Sequence, residues 1–349
     1  VTRELVLPQP RTPDPADAPP LRWGVIAPGH IASQMAQALR DHTRQRIVAV
    51  GSRSAERGAE FAARFGVDRV HDSYEALVAD PEVDAVYVAS PHSHHRDQAL
   101  LAVAAGKHVL VEKAFTRNAT EARAVVEAAR AADVLVMEAM WTRYLPHTDV
   151  IRQLLDDGAL GAVRRVVADY GVLAGPDRPQ RLVDPALAGG ALLDIGIYPL
   201  SFAAFVAKHA GLGVSPTAVQ GSGSLTDTGV DAQLSMQLAY GSAQAQLFTS
   251  IVAPSGHTAH VLGDAGRVDV DDRCYTPAGV TVTIGDAVGT WDANRVEGYG
   301  GLAFQACALA TWAVEGRRDS ELLPLDETVT ILETADELRR QLGVRYPGE

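Results

Sequence analysis

Between residues 21 and 140, short apolar runs alternate with helical patterns, and no other feature of the chain narrows its fold as far. The runs are Leu21-Arg22-Trp23-Gly24-Val25-Ile26, Ile47-Val48-Ala49-Val50, Asp68-Arg69-Val70-His71, Val83-Asp84-Ala85-Val86-Tyr87-Val88-Ala89, Val109-Leu110-Val111 and Val134-Leu135-Val136-Met137. Several are rich in valine and isoleucine and show no period-two alternation, which is the pattern of strands covered on both faces by helices. The stretches between them read as helices. Ile31, Met35, Ala38 and Leu39 share one helical face, Gly106 stops a helix over 96–105, and Asn118 with Glu121 forms a capping-box start for a helix to about Ala132. The alternation predicts an α/β domain on a doubly wound parallel sheet.

From Glu138 onward the pattern changes. Helices are expected near 147–157, 301–315 and 327–342, and a strand near 163–173. Ala232, Leu234, Met236 and Leu238 alternate with polar residues, Tyr240-Gly241-Ser242 turns the chain, and Ala243, Ala245 and Leu247 alternate back. His260-Val261-Leu262 and Arg267-Val268-Asp269-Val270 form a second hairpin through Gly263 and Gly266. This half reads as an α+β domain with an open, mainly antiparallel sheet whose free face needs a cover. A second subunit would supply one, so a homodimer or homotetramer is expected. The expected divisions are a proline-rich arm over 1–20, lying outside the core, then domains over 21–140 and 141–349.

The formal net charge of −12 argues against nucleic acid as a partner. No apolar run approaches the roughly 18 residues that would span a bilayer, so no membrane partner is expected. Cys274 and Cys307 have no paired spacing, and a reducing, cytoplasmic setting is the expectation.

Chemistry-bearing residues gather where the predicted strands end. After the first strand, Ala27-Pro28-Gly29-His30-Ile31 leads directly into a helix, and such a turn aims free N–H groups and the helix dipole at one place. That is a phosphate site, and the turn approximates the glycine fingerprint of dinucleotide-binding Rossmann domains. Ala27 replaces the first glycine; it precedes proline, so extended φ/ψ is expected of it. The second strand ends in Gly51-Ser52-Arg53-Ser54, with Arg57 one turn on and no carboxylate at the strand end to accept from a ribose 2′-hydroxyl. A guanidinium in its place fits a 2′-phosphate, so NADP is the expected cofactor, with NAD as the alternative.

Ser90-Pro91-His92-Ser93-His94-His95 lies at another strand end. It lacks neighbouring cysteine or carboxylate ligands and reads as a cofactor-lining loop in which no metal is expected. Val111 runs into Glu112 and Lys113, charges at the carboxyl end of a buried strand, where ligands of such sheets collect. Trp141, Arg143 and Tyr144 form an aromatic and cationic connector at the expected domain join and are candidates to shape a substrate pocket. Asp194 and Tyr198 stand in an otherwise apolar segment and would share a helical face at i, i+4, although Gly196 and Pro199 make a regular helix doubtful.

Together these segments resemble the Gfo/Idh/MocA family of oxidoreductases, and within it the dimeric dihydrodiol dehydrogenase and NADP-dependent xylose dehydrogenase branch. The resemblance covers about residues 21–347. It rests on Gly51–Ser54, on Gly106-Lys107-His108-Val109-Leu110-Val111-Glu112-Lys113, on Met137-Glu138-Ala139-Met140-Trp141-Thr142-Arg143-Tyr144, and on Gly189 through Leu200. It implies that Lys113 is the lysine of the family's Glu-Lys-Pro motif near the nicotinamide, and that Asp194 and Tyr198 match its Asp-x-x-x-His/Tyr pair. His95 falls where the family carries a histidine by the nicotinamide ribose. Ala114 replaces the usual proline, which leaves open whether the bond after Lys113 is cis or trans.

The activity so implied is hydride transfer between NADP and a hydroxyl or carbonyl carbon of a sugar or cyclic diol. Tyr198 and Lys113 are the expected acid/base pair, and Asp194 orients substrate hydroxyls or Lys113. Two other readings stand beside it: a non-catalytic NAD(P)-binding regulator, and a hydride shuttle between two sugars that keeps its cofactor.

Overall fold

The computed structural model describes residues 3–175, 179–271 and 273–349. After a short strand β1 (Arg3–Glu4), strands β2 (Arg22–Ile26), β3 (Arg46–Gly51), β4 (Arg69–His71), β5 (Ala85–Val88), β6 (His108–Glu112) and β7 (Val136–Ala139) form one sheet. Helices α1 (His30–His42), α2 (Ala55–Phe65), α3 (Tyr74–Val78), α4 (His95–Ala104) and α5 (Ala119–Ala132) connect them. The strand order is β4-β3-β2-β5-β6-β7 with every pairing parallel, so the order reverses between β2 and β5. Ligands of doubly wound sheets sit at such a reversal, outside the strands' carboxyl ends. Every residue of β5 is buried, as the continuous apolar run requires. Helix starts are fixed locally: Asn118 accepts the Glu121 N–H at 2.9 Å and opens α5.

The chain continues through α6 (Pro146–Asp156), β8 (Val163–Gly171), a π-helical turn at Leu192–Gly196 and α7 (Ile197–His209). Then come β9 (Ala218–Leu225), β10 (Asp231–Tyr240), β11 (Ala243–Ser250), β12 (Ala259–Gly263), β13 (Gly266–Val270), β14 (Val280–Ile284) and β15 (Ala287–Trp291). Helices α8 (Leu302–Val314) and α9 (Leu325–Leu342) follow. The second sheet runs β1-β15-β14-β13-β12-β8-β11-β10-β9. Its pairings are antiparallel except for β1 with β15 and β8 with β11. Both expected hairpins form, with Tyr240 opposite Ala243 and Leu262 opposite Arg267. Strand β9 and the β14–β15 hairpin complete the sheet without having been anticipated.

The described residues fall into two compact units. One comprises Pro13–Tyr144 with Val296–Val329 and holds the parallel sheet; the other comprises Val1–Thr12, Leu145–Arg295 and Thr330–Glu349 and holds the nine-stranded sheet. A single boundary between residues 140 and 141 misses the return of α8 to the first unit, where it packs on α1. The reason is physical: α8 buries Leu302, Ala303, Ala306, Leu309 and Ala310, an apolar stripe that local pattern cannot assign to a partner.

The proline-rich arm is likewise not an extension outside the core. In the second unit β1 pairs with β15, Leu7 is buried, and Arg11 bonds the buried Asp149 through both its N–H and its guanidinium. In the first unit Asp14 caps a short turn at Pro15–Asp17, and the Cys307 thiol donates to the Pro15 carbonyl. The segment Pro185–His209 has the length and apolarity of a membrane span, but 94% of its apolar window is buried in the fold.

Candidate active site

In the first unit, β2 delivers the chain into the turn at Ala27–Gly29. Ala27 adopts φ +62°, not the extended conformation expected of a residue before proline. Turn closure outweighs the proline effect: the Gly29 N–H donates to the Ala27 carbonyl at 2.8 Å around Pro28, and the Ala27 N–H donates to Gly51. The left-handed region is where glycine is normally needed, and an alanine there costs about 1 kcal/mol. Gly29 caps α1 without a side-chain acceptor, which leaves the first-turn amides of His30 and Ile31 to an anion.

At the end of β3, the buried Ser52 hydroxyl donates to the Ser54 carbonyl at 2.8 Å and accepts from the Ser54 N–H. Ser54 in turn caps α2 by accepting from the Arg57 N–H. The rigid turn leaves Arg53 and Arg57 exposed, and neither guanidinium makes an ion pair among the described residues. Burial lowers the pKa of His94, and the nearby charge of Arg53 lowers it further, which places that guanidinium by the Ser90–His95 loop. Uncapped amides beside an unneutralised guanidinium suit a phosphorylated dinucleotide.

Ser90 and Pro91 are half-buried, and His92 is buried with its ring edge-on to His95 at 5.6 Å. His95 is fully buried and sits behind the loop, not on its surface. Its Nε2 lies 2.7 Å from the Ser90 carbonyl and its Nδ1 2.9 Å from the Ala114 carbonyl, so it ties two strand-end loops together. Its burial lowers its pKa, and the carbonyls oppose that shift. At the end of β6, the Tyr87 hydroxyl donates to Glu112, whose other oxygen accepts the Lys113 N–H at 3.2 Å. The Lys113–Ala114 peptide is cis. Lys113 itself is half-buried.

Two of the three connector residues have partners that account for their burial. Arg143 is buried in an ion pair with Glu327 at 2.7 Å, and Tyr144 is buried with its hydroxyl 3.1 Å from Ser320 and its ring against Trp312. Both brace the unit, because a buried charge or phenol is stable only with such partners. Trp141 differs. It stacks at 6.0 Å on the half-exposed Tyr299, whose ring meets His30 at the start of α1 edge-on.

In the second unit, Asp194 and Tyr198 lie on one continuous helical segment, though not a regular one. Leu192–Gly196 forms a π turn, and α7 starts at Ile197. Such turns concentrate at functional sites. The turn is held from outside: the buried Asp231 accepts from the Leu192 N–H at 2.6 Å, and Gly190, at φ +117°, leaves room that a Cβ would close to 2.2 Å from Asp231. Burial pushes the Asp231 carboxyl up to about 6. Arg181 pairs with Asp194 at 2.6 Å.

Tyr198 stands in a cluster of rings, 5.5 Å from Tyr170 and 5.2 Å from Tyr275, which stack on each other at 4.6 Å. His257 packs on Tyr170 at 4.7 Å, and the Tyr275 hydroxyl donates to the Asp169 carbonyl. Arg181, Tyr170, His257, Tyr275 and Asp231 were not anticipated. Each reaches this segment of the second unit through a tertiary contact that leaves no local signal.

The comparisons agree with this geometry. Residues 21–140 match the model of the oxidoreductase family with an NAD-binding Rossmann fold, GFO_IDH_MocA, and residues 148–269 match the GFO/IDH/MocA C-terminal domain. The chain is 35% identical to D-xylose 1-dehydrogenase (NADP(+)) of Hypocrea jecorina, over 94% of this chain and 93% of that protein. It is 33% identical to trans-1,2-dihydrobenzene-1,2-diol dehydrogenase of Sus scrofa, over 94% of this chain and 98% of that protein. Among solved structures it is similar to KijD10, a 3-ketoreductase from Actinomadura kijaniata in complex with TDP-benzene and NADP. That match has a TM-score of 0.76 and 26% identity over 92% of this chain and 97% of that one. The fold, the strand-end site and the full-length relatives agree: this chain belongs to the Gfo/Idh/MocA family of oxidoreductases.

Proposed function

We propose that the chain is an NADP-dependent dehydrogenase that transfers hydride between the nicotinamide and a hydroxyl-bearing carbon of a sugar or cyclic diol. The observation that carries the reading is Asp194 on the π turn and Tyr198 in the first turn of α7, on one continuous helical segment, a carboxylate and a phenol that a protein binding a dinucleotide without turnover would not need. NADP, when bound, supplies the hydride acceptor or donor. The turn at Ala27–Ile31 and the residues Ser52, Arg53, Ser54 and Arg57 would hold its phosphates, and Ser90, Pro91, His92 and Glu112 would border it. NAD is the second cofactor to test.

In the oxidising direction Tyr198 takes the substrate hydroxyl proton, and in reverse it returns it. A phenol with a pKa of about 10 needs a neighbouring cation to do this near neutrality, and Lys113 is the residue assigned to that role. Asp194, fixed by Arg181, accepts from a second substrate hydroxyl and sets which carbon faces the hydride acceptor. Trp141 with Tyr299, and Tyr170 with Tyr275, offer flat apolar faces that suit a sugar ring or an aromatic diol.

A homodimer or homotetramer through the nine-stranded sheet is also proposed. One face of that sheet carries a groove of about 610 Å³ lined by Val167, Ser222, Ser235, Gln246 and Phe248. The two buried free thiols, Cys274 and Cys307, favour a reducing compartment such as the cytoplasm.

The test is a reduction assay. Purified protein is mixed with NADP or NAD and a panel of aldoses, polyols and trans-diols, and reduced nicotinamide is followed. Turnover with NADP on one substrate class supports the reading. Silence in both directions despite tight NADP binding would favour a regulator, and cofactor that survives dialysis would favour a hydride shuttle.

A further inference from the structure

The backbone of Lys113–Phe115 is held by side chains at three consecutive points. The Lys113 N–H donates to Glu112, the Ala114 carbonyl lies 2.9 Å from His95 Nδ1, and the Phe115 N–H donates to Glu138 Oε1 at 3.2 Å. Glu138 stands on β7, beside β6, and is 2% exposed. Its second oxygen accepts from the Thr328 hydroxyl at 2.9 Å. A glutamine could accept from the Phe115 N–H with its oxygen and donate to the Thr328 hydroxyl with its NH2, all without a charge, and taking a carboxylate out of water is costly. The acid therefore needs a reason beyond filling space.

Glu138 lies in the same compact unit as Lys113. Its reach is to the amide two residues beyond Lys113. On the reading of Lys113 as a catalytic residue, we propose that Glu138 is a positioning residue, fixing the direction of the Lys113 side chain by anchoring the Phe115 amide.

The surroundings add a pH signature. Burial pushes the Glu138 carboxyl up to about 7, against the lowering effect of Thr328, the Phe115 amide and Arg143, and Glu112 pushes it further up. The charged and titratable groups around it are Glu112 on β6, Arg143 with its ion-pair partner Glu327, and the Tyr144 phenol. Glu138 thus gains or loses its proton in the range where the enzyme is assayed, and the anchor on Phe115 strengthens as it ionises.

The experiment measures kcat, KM and NADP affinity from pH 5.5 to 9 for wild type, Glu138→Ala, Glu138→Gln, Thr328→Val and Lys113→Ala, with melting curves for each. Glu138→Ala should lower kcat at least tenfold while the NADP affinity stays within about twofold. Glu138→Gln, which keeps an acceptor for the Phe115 amide, should recover most of that rate and flatten the limb of the pH profile near 7. Thr328→Val removes a bond that holds the carboxyl down, so it should move the same limb to higher pH.

A folded Glu138→Ala enzyme with native kcat and an unchanged profile overturns the proposal. So does a Glu138→Gln enzyme as slow as Glu138→Ala, or a limb that Thr328→Val leaves in place. If Glu138→Ala does not fold, the glutamine and valine variants still decide. Lys113→Ala separates the two readings: full activity in that variant removes Lys113 from catalysis, whereas an inactive Lys113→Ala beside a native Glu138→Ala overturns only the role of Glu138.

Discussion

Arg181 holds the Asp194 carboxylate at 2.6 Å, tying a half-exposed loop arginine to the third residue of the π turn. The Asp194 side chain is only 12% exposed, whereas that of Arg181 is 48% exposed, so solvent screens the arginine more than the carboxylate. Arg181→Met should lower kcat/KM by about tenfold, the scale of one charge-assisted hydrogen bond. Arg181→Lys should recover part of the loss. Initial rates over a range of substrate concentrations read both effects.

Tyr198→Phe keeps the ring within its cluster of Tyr170 and Tyr275 and removes only the hydroxyl. Turnover should fall by about 10²- to 10⁴-fold, the usual contribution of a positioned acid/base group. NADP affinity, followed by fluorescence quenching, should stay nearly intact. An unchanged rate would remove Tyr198 from the mechanism.

Arg53 is exposed and makes no ion pair among the described residues, so its charge is available to a ribose 2′-phosphate. Arg53→Ala should raise the KM for NADP about tenfold or more and leave that for NAD nearly unchanged. Equal losses for both cofactors would assign the arginine to the shared pyrophosphate instead.

Ala27→Gly should stabilise the protein by about 1 kcal/mol, because the native φ of +62° is costly for alanine and free for glycine. Thermal melting should show a rise of about 2 °C. A fall would mean that the greater freedom of glycine in the unfolded chain outweighs the relief.

Asp231 gives a pH dependence of known sign. Burial raises its folded pKa from the ordinary aspartate value of 3.8 to about 6, so the folded state binds its proton more tightly than the unfolded state does. The stability this contributes is complete below 3.8 and is lost as the pH rises through 6. Against Asp231→Asn, which does not titrate, the wild type should lose relative stability between pH 4 and pH 8. Melting temperatures of the two proteins across that range check it.

The parallel sheet was legible because each of its strands is a local run and several of the helices carry a local start or stop signal. Asn118 capping α5 and Gly106 ending the helix before β6 are examples. The turn after β2 was legible for the same reason, although the conformation of Ala27 was not. Its N–H is held by Gly51 of the neighbouring strand and its carbonyl by Gly29, and preference before proline reports on neither bond.

Arg143 and Tyr144 show the opposite limit. Charge and aromaticity at an expected domain join suggest a pocket, but Glu327 and Ser320, more than 170 residues away, bury both. Asp194 and Tyr198 were recognisable as polar residues in an apolar segment. Arg181, Asp231 and the tyrosines around them come together only when the nine-stranded sheet forms.

The π turn has a consequence for how this segment tolerates change in length. A π turn closes its hydrogen bonds one residue later than an α turn, so removing one residue from Leu192–Gly196 would convert it to an α turn and leave the rest of the helix in register. Tyr198 would keep its place beside Tyr170 and Tyr275, and Pro199, Leu200 and Phe205 would stay buried. The loss would be confined to the turn, where Asp194 would no longer project as it does beside Arg181. A second deletion, with no extra residue left to give up, would swing all of α7 by about 100°.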